Sequence, residues 1–171
     1  MSVIDYVRVY QEQDPMQTTT LIDSYLAGPQ LLRKAVAGMS QKQLLARPIP
    51  GKWSTLEVIC HLADFEIIGA DRIKRVIAEN EPTLFGGDPN VFAVRLAYHS
   101  RQAEEELLLI ETIRSQVARI LRTLNPEDFR RRGIHSEAGP LTLEAFVQRS
   151  TGHIPHHVRF IEEKQKAMAS G

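Results

Sequence analysis

Cysteine is nearly missing from this sequence: Cys60 is the single one among 171 residues. An intrachain disulfide framework is thereby excluded, and a reducing compartment is the natural expectation. Net charge is missing too, because 21 Lys and Arg balance 21 Asp and Glu. That removes the basic footprint of a protein that lives on phosphate backbones or anionic lipid, so neither nucleic acid nor a membrane is an expected partner. No stretch approaches the ~18 consecutive apolar residues of a membrane span. The opening MSVIDYVRVYQEQD carries an early acid and lacks the apolar centre of a signal peptide. A cytoplasmic protein is the expectation. Also absent are internal repeats, an H-E-x-x-H zinc-protease motif, a Gly-rich phosphate loop, a Ser nucleophile elbow and the paired Glu-x-x-His motifs of di-iron bundles.

What remains has the composition of an ordinary globular chain, 43% apolar and 25% charged, at a length that suits one domain over residues 1–171. Residues 1–19 read as an N-terminal extension and 167–171 as a flexible tail. Four long helical patterns lie between. The first runs from about Thr20 to Val36 and contains Gly28 and Pro29, which predict a kink or an early break. The second opens at Ser54 with Glu57 three residues on, the capping-box spacing. Its inward stripe is Val58, His61, Leu62, Phe65, Ile68, Ile73 and Val76, a period near 3.6. A third pattern covers roughly Val94 to Leu124, with Arg101, Glu104, Glu105 and Arg114 on the face expected to meet water. The fourth begins near Thr142 and reaches about Lys166. Between the third and fourth, RRRGIHSEAGPLTL reads as irregular or as a small hairpin, with Arg130, Arg131 and Arg132 in a solvated turn. The reading is an all-α four-helix bundle with long inter-helix connections at 37–53 and 80–93, which cross an end of the bundle or roof a site.

Three of the six histidines fall in TGHIPHH, residues 151–157. Residues four apart on a helix share a face about 6 Å apart, so His153 and His157 point together, in line with Phe146, Ser150 and Ile161. His156 falls beside Arg149 and Glu163 and faces outward. Pro155 threatens the pairing, since it removes a backbone donor and disfavours helix at Ile154. His61 sits within the apolar stripe of the second helix. The residues leave two readings open, namely satisfied core histidines or ligands of one shared ion. A shared divalent ion would relieve the cost of burying unpartnered imidazoles. His99 and His135 have no partner in sequence, and Cys60, turned about 100° from His61, reads as core filler. Trp53 reads as a staple at the start of the second helix.

RPIPGKWSTLEVICHLADFE, residues 47–66, and GHIPHHVRFIE, residues 152–162, resemble the paired motifs of the DinB/YfiT-like family of metal-binding four-helix proteins. There a Pro-rich turn leads into a "kWS" helix start and E-x-x-x-H-L-A-D, and the last helix carries G-H-x-x-x-H-x-x-x-I-E. The resemblance spans about residues 20–165. It implies His61, His153 and His157 as metal ligands, with zinc, nickel or iron as the divalent ion. Three imidazoles leave an open coordination position, as in catalytic zinc sites. Glu57 is then a candidate base or orienting group beside its capping role, and Asp64 a candidate second-shell or catalytic carboxylate. The implied chemistry is thiol-dependent S-transfer, with a low-molecular-weight thiol bound as thiolate and a small-molecule electrophile. A metal-dependent hydrolase is the alternative, and a non-enzymatic interaction module the third. A homodimer is the family's further implication.

Overall fold

A computed structural model describes residues 18–169. Its long helices are α1 (Thr18–Val36), α3 (Thr55–Ala78), α5 (Ala103–Leu121) and α6 (Leu143–Ala169), with short helices α2 (Gln41–Leu45) and α4 (Pro89–Arg95) in the connections. The expected four-helix bundle is the architecture found. The expected extension largely precedes the described residues, and the expected tail is mostly helical, since α6 continues through Ala169.

Sequence chemistry accounts for the boundaries. Ser54 and Glu57 close the capping box that starts α3: Glu57 N–H donates to Ser54 Oγ at 3.1 Å and Ser54 N–H to the Glu57 carboxylate at 2.7 Å. A second box, Ser40 with Gln43, starts α2. The third pattern is not one helix from Val94 to Leu124. It is α4, a 3₁₀ turn over Tyr98–Ser100, and α5. Asp88 caps α4 with Pro89 at its first position, and Ala97 at φ 50° turns the chain left-handed before α5 begins. Neither proline inside a long helix breaks it: α1 is continuous through Pro29 and α6 through Pro155.

The connection after α5 forms the hairpin left open by the sequence. β2 (Arg132–His135) pairs antiparallel with β3 (Gly139–Thr142), and β1 (Thr83–Leu84), which sequence reading leaves in a loop, adds in parallel to β2. Arg131, expected in a solvated turn, donates to the carbonyls of Val76 and Glu79 and so caps the end of α3.

Cross-bundle pairs fix the arrangement. α1 packs on α5 and α6, and α3 packs on the same two helices, so α1 and α3 lie across the diagonal. His61 faces His153, Gly69 faces Ser150, and Gly133 next to β3 touches both Val76 and Phe146, so α3 and α6 run antiparallel. Asp64 pairs with Arg101, Glu66 with Arg114 and Lys74 with Gln116, so α3 and α5 run in the same direction. Parallel neighbours oblige the 79–102 connection to return along the length of α3. Phe92 reaches Phe65, and the Tyr98 carbonyl accepts from Cys60 Sγ at 3.5 Å. The connection therefore walls one side of the bundle.

Arg114, expected on the exposed face, is fully buried. It donates from Nε to Glu66 at 2.9 Å, from Nη1 to the Tyr25 carbonyl at 2.8 Å and from Nη2 to the Ser150 carbonyl at 2.6 Å. Tyr25 OH donates to the other Glu66 oxygen at 2.5 Å. The Tyr25 carbonyl is the one that Pro29 leaves without its helical donor, and the Arg114 guanidinium takes that place. Gly28 is required beside it, because a Cβ there would lie 2.2 Å from Arg114 Nη1. One side chain thus ties together α1, α3, α5 and α6.

Candidate metal centre

The second turn of α3 brings His61 inward, and the middle of α6 brings His153 and His157. One ring nitrogen from each lies within 4.8 Å of the others. His61 Nε2 and His153 Nε2 are 3.0 Å apart, 92 positions distant in sequence. The three rings meet edge to face, with centroids 4.8–4.9 Å apart. Because α6 is continuous, the one-turn spacing of His153 and His157 survives Pro155.

Electrostatics keep the rings uncharged. Burial pulls His61 down to about 4 and His157 to about 3, and burial with the neighbouring His157 and His61 holds His153 well below its usual value. Neutral imidazoles present lone pairs. The Nδ1 atoms of His61 and His157 are buried without a hydrogen-bond partner among the described residues, a state that costs roughly 1–3 kcal/mol per group. Tetrahedral zinc with ~2.1 Å Zn–N bonds separates its nitrogens by about 3.4 Å. Here His61 Nε2 and His153 Nε2 are 3.0 Å apart and the three ring nitrogens lie within 4.8 Å, a spread that brackets that value. The donor set and its open valences fit a divalent ion.

Aromatic rings enclose the cluster. Trp53 lies 5.1 Å and Phe65 4.5 Å from the His61 ring, and Phe160 lies 5.8 Å from His157. Trp53 therefore forms part of the site wall as well as packing at the start of α3. His156 is exposed, shares a 3.0 Å hydrogen bond with Arg159 and meets the His157 ring edge to face at 5.1 Å, but it is not one of the three converging histidines. His135 accepts at Nδ1 from the Glu137 and Ala138 amides, and His99 sits in the 3₁₀ turn. Cys60 is buried, with its thiol pushed up to about 12 by burial and then by Glu106.

The two candidate carboxylates have other partners. Glu57 accepts from the Ser54 amide and from Arg47. Burial pushes its carboxyl upward, but these hydrogen bonds outweigh that and hold it below the usual carboxylate range. Asp64 accepts from both terminal nitrogens of Arg101, at 2.9 and 3.3 Å. Neither carboxylate hydrogen-bonds an imidazole, though Asp64 is near enough to His61 to be felt electrostatically. Sequence reading missed Glu66 and Arg114, which set the register of α6 at Ser150, one turn before His153. The glycine–proline pair in the middle of α1 was the available signal.

Comparison with known proteins agrees with this fold. The family model described as the DinB superfamily matches residues 25–161. A protein of Oceanobacillus iheyensis, provisionally named a metal-dependent hydrolase, is 30% identical over 78% of this chain and 77% of its own length. A Bacillus licheniformis protein with the same provisional name is 26% identical over 92% and 90%. The solved structure of YfiT from Bacillus subtilis, described as a four-helix bundle of unusual topology, superposes with a TM-score of 0.85 at 24% identity, covering 92% of this chain and 91% of that one. With four-fifths of its length under the family model and its helices in the same arrangement, the chain belongs to the DinB superfamily.

Proposed function

We propose that the protein is a metal-dependent hydrolase whose divalent ion is held by His61, His153 and His157. The observation that carries this reading is the convergence of three neutral imidazoles from two antiparallel helices inside an aromatic wall. The provisional names of the relatives support hydrolysis. They lend nothing to the thiol-dependent transfer expected from the resemblance, so hydrolysis takes first place.

An ion with three imidazole ligands and an open position supplies Lewis acidity and brings the pKa of a bound water to about 7. The chain's own residues do the rest. Trp53, Phe65 and Phe160 exclude bulk water and set the ring planes of His61 and His157. Asp64, held by Arg101, biases the field at His61. Glu57, held in its cap by Arg47, fixes the start of α3 one turn before His61. Both carboxylates act in this reading as positioning groups, with their lone pairs engaged by arginine. Zinc, nickel and iron all accept the donor set.

Elemental analysis of protein purified without added metal tests the site. About one ion per chain is expected in the wild type, with near-complete loss in His61→Ala and in His153→Ala. Hydrolysis of ester and amide probes that stops on chelation and returns with added ion supports the reading. Equal metal content in all three proteins sinks it. Reaction of an electrophile only when a cellular thiol is present would reinstate transfer.

A further inference from the structure

Beyond the histidines, α3 and α6 carry a second polar cluster. His61, Phe65, Ile68 and Arg72 repeat at intervals of four, three and four on α3, so Arg72 shares the face of His61, and Arg149 lies one turn before His153 on α6, at the edge of the ligands' face beside His156. Gly69 stands between the two levels, where a Cβ would lie 3.1 Å from Ser150 Oγ. Arg72 and Arg149 are close enough to influence one another, and both influence the buried His135. Arg72 donates to the Phe85 carbonyl of the 79–102 wall. Its Nε and the Nη1 of Arg149 are buried and have no hydrogen-bond partner among the described residues, and no ion pair there reaches either guanidinium. The carboxylates felt by Arg72 are the exposed Glu137 and Asp71, its own chain neighbour, and neither forms an ion pair with it.

Two like charges held together in a partly buried groove repel, and unmatched buried donors are costly. Burial, and then Arg149, pull the Arg72 pKa below the usual arginine value, which is the sign of a guanidinium lacking its anion. The other buried arginine of the bundle, Arg114, is saturated by Glu66 and two carbonyls. Planar guanidinium forks match carboxylate and phosphate oxygens.

We propose that Arg72 and Arg149 form an oxyanion-recognition subsite on the same pair of helices as the histidines, so that the substrate carries a carboxylate or phosphate tail. At ~1.5 Å of rise per residue, Arg149 lies about 6 Å along α6 from His153 and Arg72 about 16 Å along α3 from His61, and the tail lies between these distances from the histidines. Phe65 and Gly69 line the interval, which suits a short apolar spacer. This inference rests on the hydrolase reading for the word substrate, and on the arginine geometry alone for the anion.

Metal-stripped and metal-loaded protein is titrated with 4-phenylbutanoate, 3-phenylpropyl phosphate and neutral 4-phenylbutanamide. Expected is at least a ~10-fold preference for one or both anions, the two arms telling carboxylate from phosphate, weakening as salt rises. It persists after metal removal and in His61→Ala. Arg149→Gln and Arg72→Gln abolish the preference, while Arg149→Lys keeps part of it. Arg149→Gln melts no lower than the wild type, because it removes repulsion rather than a contact. Equal binding of acid and amide, failure of every anion to bind at millimolar concentration, a preference present only with metal, or one that survives both Gln variants overturns the subsite. If ester hydrolysis fails while the anion preference stands, the hydrolase reading falls and the subsite remains. Equal kcat/KM on neutral and anionic esters does the reverse.

Discussion

Two buried polar clusters occupy neighbouring levels of one bundle and share two of its helices. In the first, Tyr25, Glu66 and Arg114 satisfy one another together with two backbone carbonyls. In the second, His61, His153 and His157 touch, yet His61 and His157 each keep a buried nitrogen unpartnered. The first cluster is fully buried, whereas only His61 of the second is and His153 and His157 are half-buried; saturation differs as well. A closed network fixes the backbone, whereas a cluster with spare lone pairs is built to receive something. The first holds Ser150 in place, and the second begins one turn later at His153.

Breaking each cluster in turn gives different failures. The largest effect expected is on metal: His157→Ala removes a ligand and leaves less than a tenth of the wild-type metal after dialysis, with helical content by circular dichroism unchanged. Arg114→Met does the opposite. It strands a buried carboxylate and two carbonyls and costs about 3–5 kcal/mol in denaturant unfolding, while whatever remains folded still takes up metal. Unfolding of the metal-free protein against pH sharpens the contrast. His61 and His157 bind protons more readily unfolded than folded, with folded values of about 4 and about 3. Stability is therefore fully present above the ordinary histidine value near 6.5 and falls as pH drops from there towards 3. His61→Ala flattens that slope. A smaller effect follows from Pro29. Added to Arg114→Met, Pro29→Ala returns an amide donor to the Tyr25 carbonyl and recovers about 1 kcal/mol. The smallest is Tyr25→Phe, which removes one hydrogen bond to Glu66 at a cost of about 1 kcal/mol and leaves metal content untouched.

The sequence carried the helices and the inward faces of the histidines because both are local. A period near 3.6 and a one-turn spacing need no knowledge of the partner. Ser54 with Glu57 is local as well, and its cap is where the spacing put it. Arg114 was misread for the complementary reason. A charged residue inside a helix is ordinarily solvated, and Glu66 and Tyr25, which reverse that here, lie 48 and 89 positions away. Asp88–Pro89 is a legible helix start that the longer apolar pattern of the third helix obscured. That α3 and α5 are parallel is written in no local feature, so the return path of residues 79–102 was visible only as a long connection.

That return path separates the elements that carry the ligands from the element that walls them. Every proposed ligand sits on α3 or α6, whereas the wall across the groove belongs to residues 79–102, where Phe85, Val91 and Val94 are exposed. Changes at those three exposed side chains alter the wall without touching the histidines or the arginine tie, whereas Phe92, Tyr98 and Arg101 of the same connection are bound to α3 beside His61. The ligands and the outer wall are therefore separable parts of one bundle, and the exposed positions of the connection can be exchanged as a set while the helices that carry the histidines are kept.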